Sequence, residues 1–183
     1  MPPRSRCSPS FRRPGRGAPG VESPASRKGT PNAVPYRTEA ETALPVCREL
    51  GISFVAYSPL GRSVLTGSVR TPDDIPPEDR RRDHPRFQGE NLSRNLELLR
   101  PVEAIARDKR CTTGQLVLAW LLAQGPDIVP IPGTKHASRL EENVGAVDVA
   151  LDPDDVRRIA EAVPAGAAAG TRYPEAMMRA LSL

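Results

Sequence analysis

The stretch that most constrains this 183-residue chain runs from Asp127 to Val144 and reads DIVPIPGTKHASRLEENV. It opens with a short apolar run, which has the length of a buried strand in a parallel sheet. Pro132 and Gly133 break the run, and Ser138 with Glu141 three residues later has the pattern of a capping box. The order of strand, tight turn and helix start predicts a βα unit.

The start of the predicted helix has the chemistry of an anion site. The free N–H groups and the positive dipole end of a helix attract negative charge. Lys135 and Arg139 would add two positive charges there, and Thr134 would add a hydroxyl donor. On these residues alone two interpretations stay open: a seat for a phosphate group, or an ordinary βα turn whose Lys and Arg are solvated.

A helix and a strand precede this unit. Thr38 or Thr42 can cap a helix that ends at Gly51, because glycine readily takes the left-handed conformation found at helix ends. The segment 52–57 is rich in residues that favour strands, and Ser58 with the proline after it ends the strand. A helix, a glycine and a strand make half of a βαβ unit, so we predict an α/β fold.

Residues 61–90 connect this strand to the next helix and are polar and rich in proline. We therefore expect a long irregular loop, which begins at the strand end where α/β proteins bind ligands. Its run Arg80–Arg82 could clamp an anion, although a solvated surface is the interpretation we favour. His84 is predicted to lie at the surface, because no second metal-ligand pattern accompanies it.

Three further helices are indicated by local patterns. Apolar residues recur at three- and four-residue steps over 91–110, where Pro101 predicts a kink or a break. Thr112 and Gln115 form a capping-box pattern ahead of a segment that is apolar almost all round and is therefore expected to be buried. Asp152, followed directly by a proline, predicts the start of the third.

The positive charge of the chain is concentrated in its first residues. The net charge is +4, yet residues 1–36 alone hold seven basic residues and one acid. This Pro-, Arg- and Gly-rich segment has almost no aliphatic side chains, so we expect a disordered basic tail. A functionless extension is favoured, and a reading-frame error in a GC-rich gene would give the same composition. A nucleic-acid-binding arm is the less favoured alternative.

The cysteines and the apolar runs bound the setting. Cys7, Cys47 and Cys111 are odd in number, far apart and without metal-ligand spacing, so we expect a reducing cytoplasm, no disulfide framework and no metal. No apolar run approaches the length of a membrane span, and the first residues lack the apolar core of a signal peptide. We therefore expect no membrane partner.

Two motifs, in order and correctly separated, resemble the last two βα units of the aldo-keto reductases. They are Gly51–Gly67 (GISFVAYSPLGRSVLTG) and Ile131–Asn143 (IPGTKHASRLEEN). Residues 85–91, 115–122 and 172–175 resemble the same family. A pair of motifs at this spacing is far more specific than a single glycine pattern.

The resemblance covers about residues 37–183 and implies a partial (β/α)8 TIM barrel that contains the C-terminal βα units only. The chain is then divided into the tail, 1–36, and this C-terminal part of a barrel, 37–183. The family binds NADPH in extended form across the C-terminal face of its barrel. The resemblance thus implies NADPH as cofactor, with a small aldehyde or ketone as the substrate of full-length members.

Carried over residue by residue, the resemblance implies three groups of cofactor contacts. The diphosphate side would be lined by Ser58, Leu60, Gly61 and Leu65. The adenosine 2′-phosphate would be held by Gly133, Thr134, Lys135 and Arg139. The adenine would be contacted by Glu142 and Asn143. The second group coincides with the anion site that the residues themselves suggest.

No catalytic residue can be carried over. The family's catalytic Asp, Tyr, Lys and His lie on the first five strands, to which nothing in this sequence corresponds. Hydride transfer to a carbonyl needs a proton donor. The first hypothesis is therefore a C-terminal fragment of an NADPH-dependent reductase that carries the cofactor half-site and is inactive alone. The alternative is a non-enzymatic module that senses NADPH or docks on a partner.

Overall fold

The computed structural model describes residues 38–179, and the predicted tail lies outside this range. The described part is α/β, with six α-helices and two strands. The helices are α1 (Thr38–Glu49), α2 (Gly89–Asp108), α3 (Thr113–Leu122), α4 (Ala137–Val144), α5 (Pro153–Ala162) and α6 (Glu175–Arg179), and the strands are β1 (Phe54–Tyr57) and β2 (Ile128–Ile131).

The two strands pair in parallel, with Phe54 opposite Ile128 at one end and Tyr57 opposite Ile131 at the other. One face of this sheet packs against helices, and there Ile128 is buried. On the other face Val55 and Val129 are 55% and 45% exposed. The prediction of a buried strand is therefore wrong for this face of β2, because no described element covers it.

The hydrophobic core lies between α2, α3, α5 and the segment that follows β1. Helix α3 is buried along nearly its whole length, as its composition predicts. Its Trp120 is a core residue, and the indole nitrogen donates a hydrogen bond to the Val156 carbonyl at 3.1 Å. Reciprocal side-chain bonds between Thr112 and Gln115 confirm the capping box predicted for α3, and Asp152 is confirmed as the cap of α5, where it also forms a capping box with Asp155.

The sequence predicted a kink or a break at Pro101, and the break does not occur, because helix α2 continues through this residue. A proline inside a helix costs about 3 kcal/mol. Leu99 and Val102 on either side of it are fully buried in the core, whereas Pro101 itself faces outward. Burial of these neighbours offsets the cost, since each large apolar side chain contributes about 1.5–3 kcal/mol.

The segment 61–90 is ordered, and the expectation of an irregular loop is wrong. It forms four short 3₁₀ helices, two of which start at a proline, where the missing N–H is no loss. Its apolar side chains fill one side of the core: they are Val64, Leu65, Val69, Ile75 and Phe87.

In the run Arg80–Arg82, Arg80 is exposed as expected, whereas Arg81 and Arg82 bind their own segment. Arg81 forms a bidentate pair with Asp79 at 2.7–3.1 Å and donates to the Arg62 carbonyl at 3.2 Å. Arg82 donates to the carbonyls of Ile75 and Pro76 at 2.7 and 3.1 Å. These two side chains are neither solvated, as we expected, nor directed at a ligand, because they satisfy carbonyls and a carboxylate of their own segment.

Candidate cofactor site at the strand ends

The parallel register brings the two segments that contain the three predicted groups of cofactor residues to one edge of the sheet. Tyr57 and Ile131 are the last residues of β1 and β2 and lie opposite each other. Residues 58–65 follow the first strand, and residues 133–143 follow the second. The ends of successive parallel strands are where α/β proteins bind ligands.

Helix α4 begins two residues earlier than the predicted capping box places it, so that capping box is wrong. Its N-cap is His136, which makes no side-chain cap bond. The Thr134 hydroxyl accepts a hydrogen bond from the backbone N–H of His136 at 3.1 Å. This turn sets the start of the helix ahead of Ser138, so Ser138 and Glu141 lie inside α4 and cannot act as its cap.

Three predicted phosphate ligands lie at or next to this helix start, and we call Thr134, Lys135 and Arg139 the helix-start site. The first two precede α4, and Arg139 is its third residue. All three are exposed, and so is Gly133 before them. Because α4 lacks the side-chain cap that α3 and α5 possess, its first-turn N–H groups are open to an anion.

Glu142 borders the helix-start site on its C-terminal side. Its carboxylate lies 3.7 Å from the Arg139 guanidinium, and the Arg139 side chain is 46% exposed. Such a surface pair contributes about 0–1 kcal/mol, so the arginine stays available to a stronger anion. The Glu142 carbonyl accepts a hydrogen bond from Gln115 of α3 at 3.0 Å. Asn143, the second predicted adenine contact, is half-buried beside it.

The chain turns sharply where β1 ends. Ser58, Gly61, Arg62 and Ser63 all have positive φ, between 52° and 78°. Non-glycine residues take this conformation at a cost of roughly 1–2 kcal/mol each, so the surrounding packing must hold it. Leu65 is fully buried in the core, so only its backbone can face a ligand.

Three arginines converge on this turn and line a depression that we call the arginine pocket. Its walls are formed by Tyr57, Ser58, Gly61, Arg62, Arg86, Phe87 and Arg172. Arg172 belongs to the segment after α5, residues 163–179, which we call the C-terminal tail, and it is only 8% exposed. None of these lining residues is acidic. The pocket therefore concentrates positive charge beside the predicted diphosphate residues Ser58 and Gly61.

His84 is buried in this region, and its prediction as a surface residue is wrong. It is 9% exposed, and its Nδ1 lies 2.9 Å from the Arg172 carbonyl. A carbonyl only accepts, so Nδ1 carries the hydrogen and Nε2 is left as an acceptor. The Arg62 guanidinium lies 2.9 Å from Nε2 and can donate to it. Sequence gave no signal for this contact, because Arg172 is 88 residues away.

The tail that supplies Arg172 is fixed to α2 by Asn95. This side chain is 3% exposed, and its amide nitrogen donates to the Ala169 and Arg86 carbonyls at 3.0 and 3.2 Å. Its amide oxygen accepts from the Ala169 N–H at 2.8 Å. Arg86 also donates to the Gly170 carbonyl at 3.2 Å. These bonds hold the C-terminal tail beside the arginine pocket, a position that the sequence did not predict.

Tyr57 is the tyrosine at the end of β1, and its hydroxyl lies 3.4 Å from the Arg172 guanidinium. Burial, with a further contribution from Tyr173, raises the pKa of Tyr57 to about 12. A phenol with a raised pKa is a poor proton donor near neutral pH.

Lys109 forms an ion pair with Asp155 in the helical layer, and Lys135 belongs to the helix-start site.

Neither a metal cluster nor a membrane helix is found in residues 38–179. No three side chains of the His, Cys, Asp and Glu types lie close enough there to hold a metal ion. No helix in the same range combines the length and apolar character needed to cross a bilayer.

Known proteins match both the sequence and the fold. A family model described as "Aldo/keto reductase family" matches residues 30–164. The aldo-keto reductase yakc [NADP(+)] of Schizosaccharomyces pombe is 49% identical over 144 residues, which are 76% of this chain and 42% of the yeast protein. Probable aldo-keto reductase 1 of Glycine max is 47% identical over 133 residues, 73% of this chain and 38% of the plant protein.

A solved structure agrees. The thermostable aldo-keto reductase Tm1743, crystallised with the inhibitor epalrestat, superposes with a TM-score of 0.50 at 26% identity and covers 70% of this chain and 36% of its own. The chain therefore belongs to the aldo-keto reductase family, and the predicted α/β fold with part of a barrel is confirmed. It spans about two fifths of the length of the curated relatives it matches.

Proposed function

We propose that this chain binds NADPH across the ends of β1 and β2. One observation carries the proposal: the parallel register sets the cationic helix-start site beside the arginine pocket, at one edge of the sheet. NADPH carries a 2′-phosphate and a diphosphate, separated by a ribose. Two neighbouring cationic sites suit such a ligand, and a relative is named for NADP(+).

The helix-start site fits the 2′-phosphate. Lys135 and Arg139 supply charge-assisted donors, and the uncapped N–H groups of α4 supply backbone donors. Open space surrounds Gly133, where an added Cβ would meet nothing within 4 Å, so a ligand can approach the backbone closely. Glu142 and Asn143 follow within α4, on the side where we propose the adenine.

We propose that the turn after β1 binds the diphosphate. Ser58 and Gly61 line the arginine pocket, and Leu60 packs beside Gly114 of α3. Leu65 takes part through its backbone, since its side chain is buried in the core. When bound, NADPH supplies the hydride that this family transfers to the carbonyl carbon of an aldehyde or ketone.

We infer that this chain binds the cofactor but does not catalyse the reduction. Tyr57 lies at the strand end, and its raised pKa makes it a poor proton donor near neutral pH. Its hydroxyl contacts the guanidinium of Arg172. The proposed role is thus that of the C-terminal part of an NADPH-dependent reductase, inactive alone. The two described cysteines, Cys47 and Cys111, are free, which supports a reducing cytoplasm as its location.

A second role is favoured by one observation. The sheet face that carries Val55 and Val129 is apolar and half exposed. A face of this kind suits contact with another polypeptide. In this alternative the chain binds NADPH and docks on a partner without any turnover. A light-scattering mass that changes on addition of NADPH would favour it over the first role.

The test is a fluorescence titration of NADPH with the full chain. Lys135→Met should weaken NADPH binding about tenfold, the size expected for one charge-assisted hydrogen bond to a phosphate. NADH lacks the 2′-phosphate, so the same substitution should leave its weaker binding unchanged. Arg107→Met, which removes an exposed charge at the far end of α2, is the matched control.

Two outcomes would contradict the proposal. One is an unaltered NADPH affinity in Lys135→Met while the unfolding midpoint of the variant equals that of the parent chain. The other is the absence of NADPH binding at millimolar cofactor by a chain that unfolds cooperatively.

A further inference from the structure

We propose that a cavity between the sheet and its helices binds a small, uncharged molecule with a single aromatic ring. The cavity has a volume of about 180 Å³ and is bordered by α1, α3, α5 and the helix-facing side of both strands. We call it the helical-layer cavity. Apart from Glu41 and Gln124, the described residues that line it are apolar.

The helical-layer cavity is separate from the proposed cofactor site. It is lined by Phe54 and Ile128, which pair with each other where the two strands begin. The cofactor is proposed to lie at the opposite end of the strands, beyond Tyr57 and Ile131. A ligand in the helical-layer cavity therefore goes beyond the proposed function and does not compete with the cofactor for residues.

The space in the cavity arises because three different elements contribute alanines to its walls. These are Ala40 of α1, Ala56 of β1 and Ala160 of α5. The larger residues around them are held in place: the Trp120 ring is 4% exposed, and its N–H is bonded to the Val156 carbonyl at 3.1 Å. The walls are thus kept apart by fixed side chains.

The volume of the cavity suits one ring. Protein interiors are close-packed, and voids larger than a water molecule are few. An apolar cavity of about 150 Å³ excludes water and binds benzene. A cavity of about 180 Å³ therefore has room for a benzene ring with one substituent.

The lining favours an aromatic and uncharged ligand. Phe54 and Trp120 present two aromatic side chains to the cavity, and aromatic rings gain from offset or edge-to-face packing beyond the area they bury. Glu41 is an exposed acid, and none of the described lining residues is basic, so an anion such as a fatty acid would find no counter-charge. Gln124 donates its amide hydrogen to the Trp120 carbonyl at 2.9 Å.

Quenching of tryptophan fluorescence by iodobenzene tests this proposal in the full chain. Trp120 is the only tryptophan of the sequence and lines the cavity, so the signal reports this site alone. We expect saturable quenching with half-saturation below about 1 mM, the range for a ligand of this size. Iodide carries the same quenching atom but is charged, and it should give no saturable quenching.

Two variants fill the cavity from different walls. Ala40→Leu extends from α1 and Ala160→Leu from α5, and each should weaken iodobenzene binding at least tenfold. Ala43→Leu places the same side chain on α1 outside the described lining and is the matched control, with binding unchanged. Because filling a cavity commonly stabilises a fold, the two filled variants should unfold at the same temperature as the parent or above it.

The proposal would be overturned by quenching that rises in the parent chain without saturating. It would also be overturned by equal half-saturation in the parent and in either filled variant that unfolds cooperatively. The preference for an aromatic ring has its own test. Toluene should displace iodobenzene at a lower concentration than methylcyclohexane does, and the reverse order would contradict that preference.

Discussion

The two strand ends of this molecule are built in opposite ways. The turn after β1 is enclosed by the 3₁₀ segment and by the C-terminal tail, which contribute the buried His84 and Arg172 respectively. The turn after β2 is exposed at every residue from Gly133 to Leu140. The first site is therefore formed before any ligand arrives, whereas the second relies on charge and on uncapped helix amides.

This difference predicts how much each of the two sites contributes to the affinity and to the selectivity of binding. A preformed pocket loses little conformational freedom on binding, so it contributes affinity at low entropic cost. An exposed pair of cations loses more side-chain freedom, and its contribution is weakened by salt. We expect the helix-start site to discriminate between ligands with and without a 2′-phosphate, and its contribution to fall as salt is added.

The largest expected effect comes from removing the hydrogen bonds that hold the C-terminal tail against α2. Asn95→Ala removes three hydrogen bonds and leaves the half-buried Ala169 N–H without its acceptor. We expect a loss of about 3 kcal/mol in the free energy of unfolding. Urea denaturation measures it, with the exposed Ser93→Ala of the same helix as control. A change below about 0.5 kcal/mol would mean that the tail is not held as described.

A glycine pair compares the two strand ends directly. Gly170 has φ of 79°, and a Cβ there would lie 2.9 Å from the Pro85 backbone carbon. Gly170→Ala should cost about 2 kcal/mol through strain and close contact. Gly133→Ala, which meets open space, should change stability by no more than about 0.5 kcal/mol. Equal costs in urea denaturation would contradict the contrast between an enclosed and an open turn.

The smallest expected effect concerns the charge that anchors Arg81. The Arg81 guanidinium, with the Arg81 backbone N–H, lowers the pKa of Asp79 below its ordinary value of 3.8. Because the pKa of Asp79 is lower in the folded state than in the unfolded state, its negative charge stabilises the fold at pH values above the unfolded-state pKa. This contribution is lost as the pH falls through 3.8 towards the folded-state pKa.

The matching variant is Asp79→Asn, which keeps an N-cap oxygen for the Arg81 N–H but removes the charge. It should be slightly less stable than the parent at neutral pH, and the difference should shrink as the pH falls below 3.8 towards the folded-state pKa of Asp79. Thermal unfolding across this range measures it, with Asp73→Asn as control. A difference that persists unchanged in acid would rule out the charge as its cause.

Local signals in the sequence were sufficient for the elements that bear the site. The strand at Ile128, the helix starts at Thr112 and Asp152, and the cationic helix start around Lys135 all follow from short patterns. Each depends on residues no more than a few positions apart, so neighbouring chemistry specifies it. The capping box at Ser138 failed for a local reason too, because Thr134 forms a competing turn just upstream.

The enclosed half of the site lay beyond sequence reasoning. Arg62 and His84 are 22 residues apart, and the Arg172 carbonyl is 88 residues from His84. Their contacts depend on how the segment 61–90 packs against the core, which no periodic pattern announces. A polar, proline-rich composition suggested an irregular loop, while the buried Leu65 and Phe87 determine its actual course.

The central claim is that two neighbouring sites of this chain hold the two kinds of phosphate in one nucleotide. Phosphorus NMR of NADP⁺ resolves the 2′-phosphate from the diphosphate, so a titration with the full chain tests the claim directly. We predict that both sets of resonances shift together as chain is added. The account would be contradicted if neither set moved at saturating chain, or if only one of them did.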